Sequence, residues 1–328
     1  MTTAPLPSTN NIIDRLPPVR GRYTEDAALG DVGWFRAGGR ADVLFKPADR
    51  EDLAAFMAGC PADIPVTVLG VLSNTIIRDQ GIRGVVVRLG REFADIDIEE
   101  GSTEIFAGAA ALDGSVAAQA AIAGISGLEF LSGVPGTIGG ALRMNAGAYG
   151  TETRDVLVEA ETIDRTGQIH RLPVAAMGMG YRHSMVPEDH IFTGARFRGG
   201  RGVRAEIESH ITEIKTRRAE TQPIKSRTGG STFANPKPEE LAAAGQPEGL
   251  KAWQLIDRAG GRGLTIGGAM MSELHCNFMI NTGTATALDL ESLGEEIRRR
   301  VYEKSGILLR WEIKRLGEAF QDSRKSLQ

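Results

Sequence analysis

Between residues 124 and 150 the chain carries eight glycines, threaded through apolar residues from Ser126-Gly127-Leu128-Glu129-Phe130 through Gly139-Gly140 to Asn145-Ala146-Gly147-Ala148-Tyr149-Gly150. A residue without Cβ lets its backbone approach another group closely. So dense a run reads either as a backbone wall against a flat or anionic cofactor or as a glycine-laced crossing of the core, and the first reading is favoured. The run belongs to a general excess of 41 glycines in 328 residues, against a usual share of about 7%. The glycines follow no Gly-X-Y period, and the hydrophobic fraction is 41%. Collagen-like and low-complexity chains are therefore excluded. Five more glycines fall within 260–268 and have no evident role in the sequence.

Lys and Arg total 38 against 42 Asp and Glu, a net charge of -4. That leaves no basic footprint for broad nucleic-acid binding. Cys60 and Cys276 stand far apart and outside any Cys-x-x-Cys pattern, so neither a disulfide framework nor a zinc site is expected. Residues 1–20 lack the apolar core of a signal peptide. The longest weakly polar stretch, 114–128, is shorter than the ~20 residues that span a bilayer. A cytoplasmic protein is expected, with no membrane association and no obligate protein partner. His170, His183, His190, His210 and His275 show no ligand spacing, so no catalytic metal is expected.

Short strands alternate with short helices, which places the chain in the α+β or α/β class. Residues 1–20, rich in Pro, Thr and Asn, read as a loose arm. Strands are expected at 41–46, 66–69, 85–89, 191–198, 278–281 and 307–316, with a hairpin over 96–105. A second hairpin joins 156–163 to 168–172 through Asp164-Arg165-Thr166-Gly167, with glycine at the left-handed position. Helices are expected after Asp49 and over 115–123, 205–219, 239–244, 252–258 and 287–305. The last has a capping box, Thr286-x-x-Asp289, an apolar stripe of Leu290, Leu293, Ile297 and Val301, and Gly306 past its end. A domain boundary is placed near 200, at Gly199-Gly200-Arg201-Gly202. No strand runs into Gly-x-Gly-x-x-Gly and a helix, and no Walker loop occurs, so a Rossmann site and a P-loop NTPase have no support. The absence of Gly-x-Ser-x-Gly weakens a Ser/His/Asp hydrolase.

Beside the glycine run, two segments carry candidate chemistry. Gly70-Val71-Leu72-Ser73-Asn74 follows a strand and can present amides and a hydroxyl to phosphate; its ordinary reading is a tight turn. Thr228-Gly229-Gly230-Ser231-Thr232-Phe233-Ala234-Asn235-Pro236 holds Ser231 on a constrained turn; a turn or cap serine is the ordinary reading there. Arg182, in Gly180-Tyr181-Arg182-His183-Ser184, suits a carboxylate or phosphate, although most arginines are solvated. Glu312, between Trp311 and Ile313, is either a partly buried functional acid or an outward strand residue.

Taken in order, these stretches resemble one family, the UDP-N-acetylenolpyruvoylglucosamine reductases. The resemblance runs from about 30 to 318, through Trp34-Phe35-Arg36-Ala37-Gly38-Gly39, Ser73-Asn74, the 127–150 segment, Gly180-Tyr181-Arg182-His183-Ser184, Gly230 to Pro236, Asn281-Thr282-Gly283 and Trp311-Glu312-Ile313. Each piece is weak alone, and the ordered set is specific. The short spacing from Arg182 to Ser231 looks like the family's second type, which lacks a tyrosine-bearing insertion. The resemblance implies an α+β chain with an FAD-binding domain of the vanillyl-alcohol-oxidase (PCMH) type over 21–200, split into two subdomains near 90. A smaller α+β substrate-binding domain over 201–328 follows, whose strand 307–318 returns to the active site. It implies reduction of the enolpyruvyl ether of UDP-N-acetylglucosamine enolpyruvate to a lactyl ether, at the expense of NADPH and through FAD.

The resemblance also implies residue roles. Arg182 is the cation facing charge that develops on the substrate, Glu312 the acid assisting the enol-like state, and Ser231 the proton donor. Gly70, Ser73, Asn74, Gly133, Pro135, Gly136, Gly139, Gly140, Asn145, Ala146 and Gly147 are matched to cofactor binding. Asn235, Lys225 and His275 are matched to the substrate, and His275 and Asn277 to a supporting stretch. The family's phosphate-binding turn usually reads Gly-x-Gly-Ser-Asn, and here Leu72 stands at its third position. If that position needs positive φ, leucine is strained by roughly 1–2 kcal/mol. The alternatives are another FAD-dependent oxidoreductase of the same fold and a non-catalytic flavin- or nucleotide-sugar-binding relative. A covalent flavin is disfavoured because no His or Cys lies between 120 and 150.

Overall fold

The structure is a computed structural model that describes residues 12–319. The chain forms two compact units. Among the described residues, the first comprises 12–27 with 41–70 and 83–214, and the second 28–40, 71–82 and 215–319.

The first unit carries two larger sheets with separate cores. A four-stranded sheet takes the order Arg22–Ala28, Arg40–Lys46, Ile82–Val87, Val66–Val68, with the last pair parallel. Its core gathers Val43, Phe45, Leu53, Phe56, Val85 and Val87. Asp49 caps the helix Arg50–Gly59 through the amide of Asp52, which turns Leu53, Phe56 and Met57 inward. The part of the expected arm that is described packs onto this sheet. Ile12–Arg15 forms a short 3-10 turn, Arg15 pairs with Asp63 at 2.7 Å, and the Tyr23 hydroxyl donates to the Pro17 carbonyl at 2.9 Å. Residues 1–11 lie outside the described residues.

The second sheet is antiparallel, in the order Ile169–Pro173, Leu157–Ile163, Ile191–Arg198, Glu104–Gly108, Ile96–Asp97. Gly167, with φ +81°, makes the turn of its hairpin as its sequence position demands. The helix Asp113–Ile122 covers the sheet with small residues, Val116, Ala117, Ala120 and Ala121, beside Leu128, Leu131, Ile138 and Leu142.

The second unit is built on the helix Ala287–Ser305, whose buried stripe is Leu290, Leu293, Ile297 and Val301. Thr286 and Asp289 form the expected capping box, and Gly306 closes the helix at φ +72°. A four-stranded antiparallel sheet accompanies it: Arg227–Thr228, Met279–Asn281, Ala269–Met271, Thr265–Ile266. Two of the glycines of 260–268, Gly267 and Gly268, now have a role. A Cβ on Gly267 would lie 2.2 Å from an Asp289 oxygen, and the Gly268 amide donates to that carboxylate at 3.2 Å. They let a turn press against the start of the long helix.

Three boundaries differ from the sequence reading. The division falls at 214/215, inside the helix Arg204–Thr221, and not at the glycines near 200. Segments 28–40 and 71–82 join the second unit through long-range bonds. The Asn281 amide donates to the carbonyls of Phe35 and Arg36, Arg78 pairs with Glu291, and the Asp79 carboxylate accepts from the amides of Ala287 and Leu288. The expected strand 307–316 is regular only over Lys314–Leu316, parallel to Thr75–Ile77. Before it, Trp311 bridges Phe233, so this stretch follows a partner chain that is itself irregular.

Candidate active site

In the second unit, Ser231 hangs from three anchors. The amide of its neighbour Gly230 donates to the Ser73 carbonyl at 3.1 Å. On its other side the Thr232 carbonyl accepts from the Glu312 amide at 2.9 Å, and the Thr232 amide donates to the Asn277 carbonyl at 2.7 Å. The Asn277 side chain then clasps both backbone groups of Phe233, accepting from its amide at 3.0 Å and donating to its carbonyl at 2.9 Å. Asn74 closes the arrangement by donating to the Glu312 carbonyl at 3.2 Å, while its own carbonyl accepts from Lys314. Ser231, Glu312, Ser73 and Asn74, scattered over 240 positions of sequence, thus share one backbone framework.

Gly229 is required there, because a Cβ would sit 2.7 Å from the Phe35 ring. Leu72, just before Ser73, has φ +58° and is 5% exposed. The turn does need a left-handed residue, and leucine supplies it at the expected strain.

The matched substrate residues stand as follows. Asn235 uses its carbonyl oxygen to accept from the Ala252 amide at 3.0 Å, capping the helix Ala252–Arg258. Lys225 is exposed. His275 stacks edge-on to Phe278 at 4.9 Å, accepts from the Asn277 amide at its Nδ1, and has its pKa lowered by burial, so it favours the neutral form.

In the first unit, Arg182 sits at φ +53° in a tight turn in which Gly180 and His183 exchange backbone bonds. Its guanidinium lies over the Tyr181 ring at 5.4 Å and donates to the Gly147 carbonyl at 3.0 Å. Asn145 holds the same turn. It is fully buried at φ +40°, donates to the Gly180 carbonyl at 2.9 Å and to Glu152 at 3.0 Å, and accepts from the Arg154 amide. Its side chain is therefore committed to shaping the 145–147 and 180–182 loops. The Ala146 carbonyl accepts from the amide and hydroxyl of Thr153.

The glycine run serves two ends. Part of it is internal: a Cβ on Gly133 would lie 2.7 Å from the Tyr149 ring, and Gly139 donates to the Ala109 carbonyl at 2.8 Å. The rest is open. Pro135 and Gly136 are half-exposed and Gly140 exposed. A Cβ on Gly70 would stand 3.0 Å from the Thr137 hydroxyl, and one on Gly140 3.9 Å from it. That hydroxyl lies between two backbones without side chains, a cradle that suits an anionic oxygen of a cofactor such as FAD. Sequence reasoning missed Thr137. Its place before the short helix Ile138–Met144, in Pro-Gly-Thr-Ile-Gly-Gly, is the signal that marks it.

Asp113 was missed as well. It opens the helix Asp113–Ile122, is fully buried, and neither carboxylate oxygen has a hydrogen-bond partner. Burial raises its pKa well above the ordinary value. Cys60 and Cys276 are free and buried, and burial pushes both thiols up. The histidines, without ligand spacing in sequence, are partly gathered by the fold: Asp164, His170 and His190 come together. Among the described residues no helix is long and apolar enough to cross a membrane.

Comparison with known proteins gives the same reading from end to end. Residues 41–173 match an FAD-binding domain family, and residues 222–316 match the C-terminal domain of UDP-N-acetylenolpyruvoylglucosamine reductase. The chain is 57% identical over 310 residues to the UDP-N-acetylenolpyruvoylglucosamine reductase of Parvibaculum lavamentivorans, covering 94% of this chain and 96% of the relative. It is 54% identical over 306 residues to that of Rhodospirillum rubrum, covering 93% of each. The crystal structure of the Thermus caldophilus reductase superposes with a TM-score of 0.74 at 34% identity, over 91% of this chain and 99% of that one. An α+β chain with an FAD-binding domain and this C-terminal domain, alike to such relatives over nearly its whole length, belongs to the UDP-N-acetylenolpyruvoylglucosamine reductase family.

Proposed function

We propose that the chain reduces UDP-N-acetylglucosamine enolpyruvate to UDP-N-acetylmuramate with NADPH, in the bacterial cytoplasm, as a step of peptidoglycan precursor synthesis. The observation that carries this reading is the backbone framework that fixes Ser231 between Ser73, Asn277 and Glu312. FAD, when bound, supplies the hydride chemistry. The chain's own residues must hold it, orient the enolpyruvyl group and move one proton.

The open glycine segment 135–140, Gly70 and the Thr137 hydroxyl are proposed to hold the cofactor, together with the backbone of Ser73-Asn74. Arg182 is proposed to face the substrate carboxylate, where negative charge grows as the double bond is reduced. Its left-handed backbone and its bond to Gly147 fix the guanidinium in advance. Glu312 is proposed to assist the same enol-like state, and Ser231 to deliver the proton. A serine hydroxyl is a weak acid, so it donates only to a strongly basic carbon and only from a fixed position. Three backbone anchors around residues 230–232 supply that position. Asn235, Lys225 and His275 are proposed to contact the nucleotide sugar; for Asn235 this falls to the amide nitrogen, since its oxygen caps a helix.

The purified protein is expected to be yellow, to bleach anaerobically on adding NADPH, and to regain colour on adding UDP-N-acetylglucosamine enolpyruvate. Bleaching without recovery of colour would leave a flavin-dependent NADPH oxidoreductase of another substrate. A colourless protein that cannot be reconstituted with FAD would remove the enzymatic reading altogether.

A further inference from the structure

Away from the residues matched to catalysis, the hairpin of Leu157–Ile163 and Ile169–Pro173 and the start of the strand Ile191–Arg198 gather three ligating side chains. Asp164, His170 and His190 each present one donor atom, and the three atoms lie within 4.8 Å of one another. We propose that Asp164, His170 and His190 bind one divalent transition-metal ion of the zinc class, which ties the hairpin turn to the strand beside it.

Asp164 and His190 are each held from behind, as metal ligands usually are. The Oδ1 of Asp164 accepts from the Thr166 amide at 2.8 Å, the Thr166 hydroxyl at 2.7 Å and the Gln168 amide at 3.0 Å. Its Oδ2 is left to meet the Nε2 of His170 at 2.7 Å. His190 engages the hydroxyl of buried Thr162 through Nδ1 at 3.1 Å, which leaves Nε2 as its ring nitrogen for a metal. The His190 carbonyl accepts from Arg143 at 2.6 Å, so its backbone is fixed too. The two imidazoles stand 5.1 Å apart, tilted by 31°.

The electrostatics favour a cation. Glu188 and Asp189 directly precede His190 and are exposed. All three ligands are half-buried, so an ion can reach them.

The donor set selects the ion. Two imidazoles and one carboxylate suit zinc and its neighbours, whereas calcium and magnesium prefer oxygen throughout. Bond lengths of about 2.0–2.1 Å in a tetrahedral site put the donors about 3.3 Å apart. The His170–Asp164 pair must therefore open slightly from 2.7 Å and His190 must close in, which side-chain rotation supplies. For the ion to bind Nε2, a neutral His170 carries its ring proton on Nδ1 instead of sharing it with Asp164. A water fills the fourth position.

The test is isothermal titration of zinc chloride into the full-length, flavin-loaded protein after treatment with EDTA. One equivalent is expected to bind with a micromolar or tighter Kd. His170→Ala and His190→Ala are each expected to weaken binding at least tenfold, with NADPH reduction of the flavin unchanged. No saturation below about 100 µM zinc, far weaker than a built zinc site binds, or binding that survives both substitutions, overturns the proposal. If a variant fails to fold, the wild type still decides the matter. Zinc must shield His170 and His190 from diethyl pyrocarbonate, read by peptide mass spectrometry, and equal modification with and without zinc overturns the site.

Discussion

Replacing Asn277 by alanine tests how the Ser231 turn is held. Asn277 is 4% exposed and Phe233 is 1% exposed. The two side-chain bonds at 3.0 and 2.9 Å are the ones that satisfy the Phe233 amide and carbonyl, because the neighbouring bridge to Trp311 pairs Thr232 and Ala234 instead. Alanine leaves both groups buried and unpaired, at about 1–3 kcal/mol each, so the fold should lose about 2–6 kcal/mol. The backbone bond from Thr232 to the Asn277 carbonyl survives, so the turn loosens and does not vanish. At roughly 2–4 °C per kcal/mol, scanning calorimetry of the flavin-loaded protein should show Tm falling by about 4–24 °C. In stopped flow, reduction of the flavin by NADPH should persist while reoxidation by the enolpyruvyl substrate slows. A loss below about 1 kcal/mol would refute the reasoning, since unpaired buried backbone cannot cost so little.

Three further outcomes follow from the structure. Leu72→Gly relieves about 1–2 kcal/mol of left-handed strain but gives up about 1.5–3 kcal/mol of leucine burial. Stability should therefore change little while FAD is retained longer on dialysis, and weaker retention would show a loop adapted to leucine. Asp113 has a folded pKa raised by burial. The protein therefore keeps its full stability below the unfolded carboxyl pKa and loses part of it as pH rises through the folded value. Asp113→Asn should flatten that loss in urea unfolding across a pH series and be the more stable form at the alkaline end; parallel pH profiles would contradict this. Cys60 and Cys276, buried and with raised thiol pKa values, should both resist a thiol reagent in the native protein and react after denaturation. Rapid native labelling of either would contradict the packing.

Local chemistry made much of the fold legible in the sequence. The helix Ala287–Ser305 announces itself by Thr286, Asp289, its apolar stripe and Gly306, and the second hairpin by Gly167. These features are written within a few residues of where they act. The membership of segments 28–40 and 71–82 in the second unit is not, because it depends on Asn281, Glu291 and the amides of residues 287 and 288. The same holds for the site. Ser231 and Glu312 are matched by motif, but their common framework runs through Asn74, Thr232 and Asn277, whose bonds close only in three dimensions. Gly133 reads as cofactor wall in sequence and packs on Tyr149 in the fold, since a missing Cβ says that something is close without saying what. Asp164, His170 and His190 lack ligand spacing because strand pairing, and not helical periodicity, brings them together.

The most direct test of the account separates the two half reactions in Ser231→Ala. The substitution removes one hydroxyl and leaves the anchors at Gly230 and Thr232 in place. Anaerobic stopped flow should show flavin reduction by NADPH at the wild-type rate and reoxidation by UDP-N-acetylglucosamine enolpyruvate slowed by about 10²–10⁴-fold, the usual worth of a positioned proton donor. Full-speed reoxidation in that variant would contradict the assignment of Ser231 as the donor.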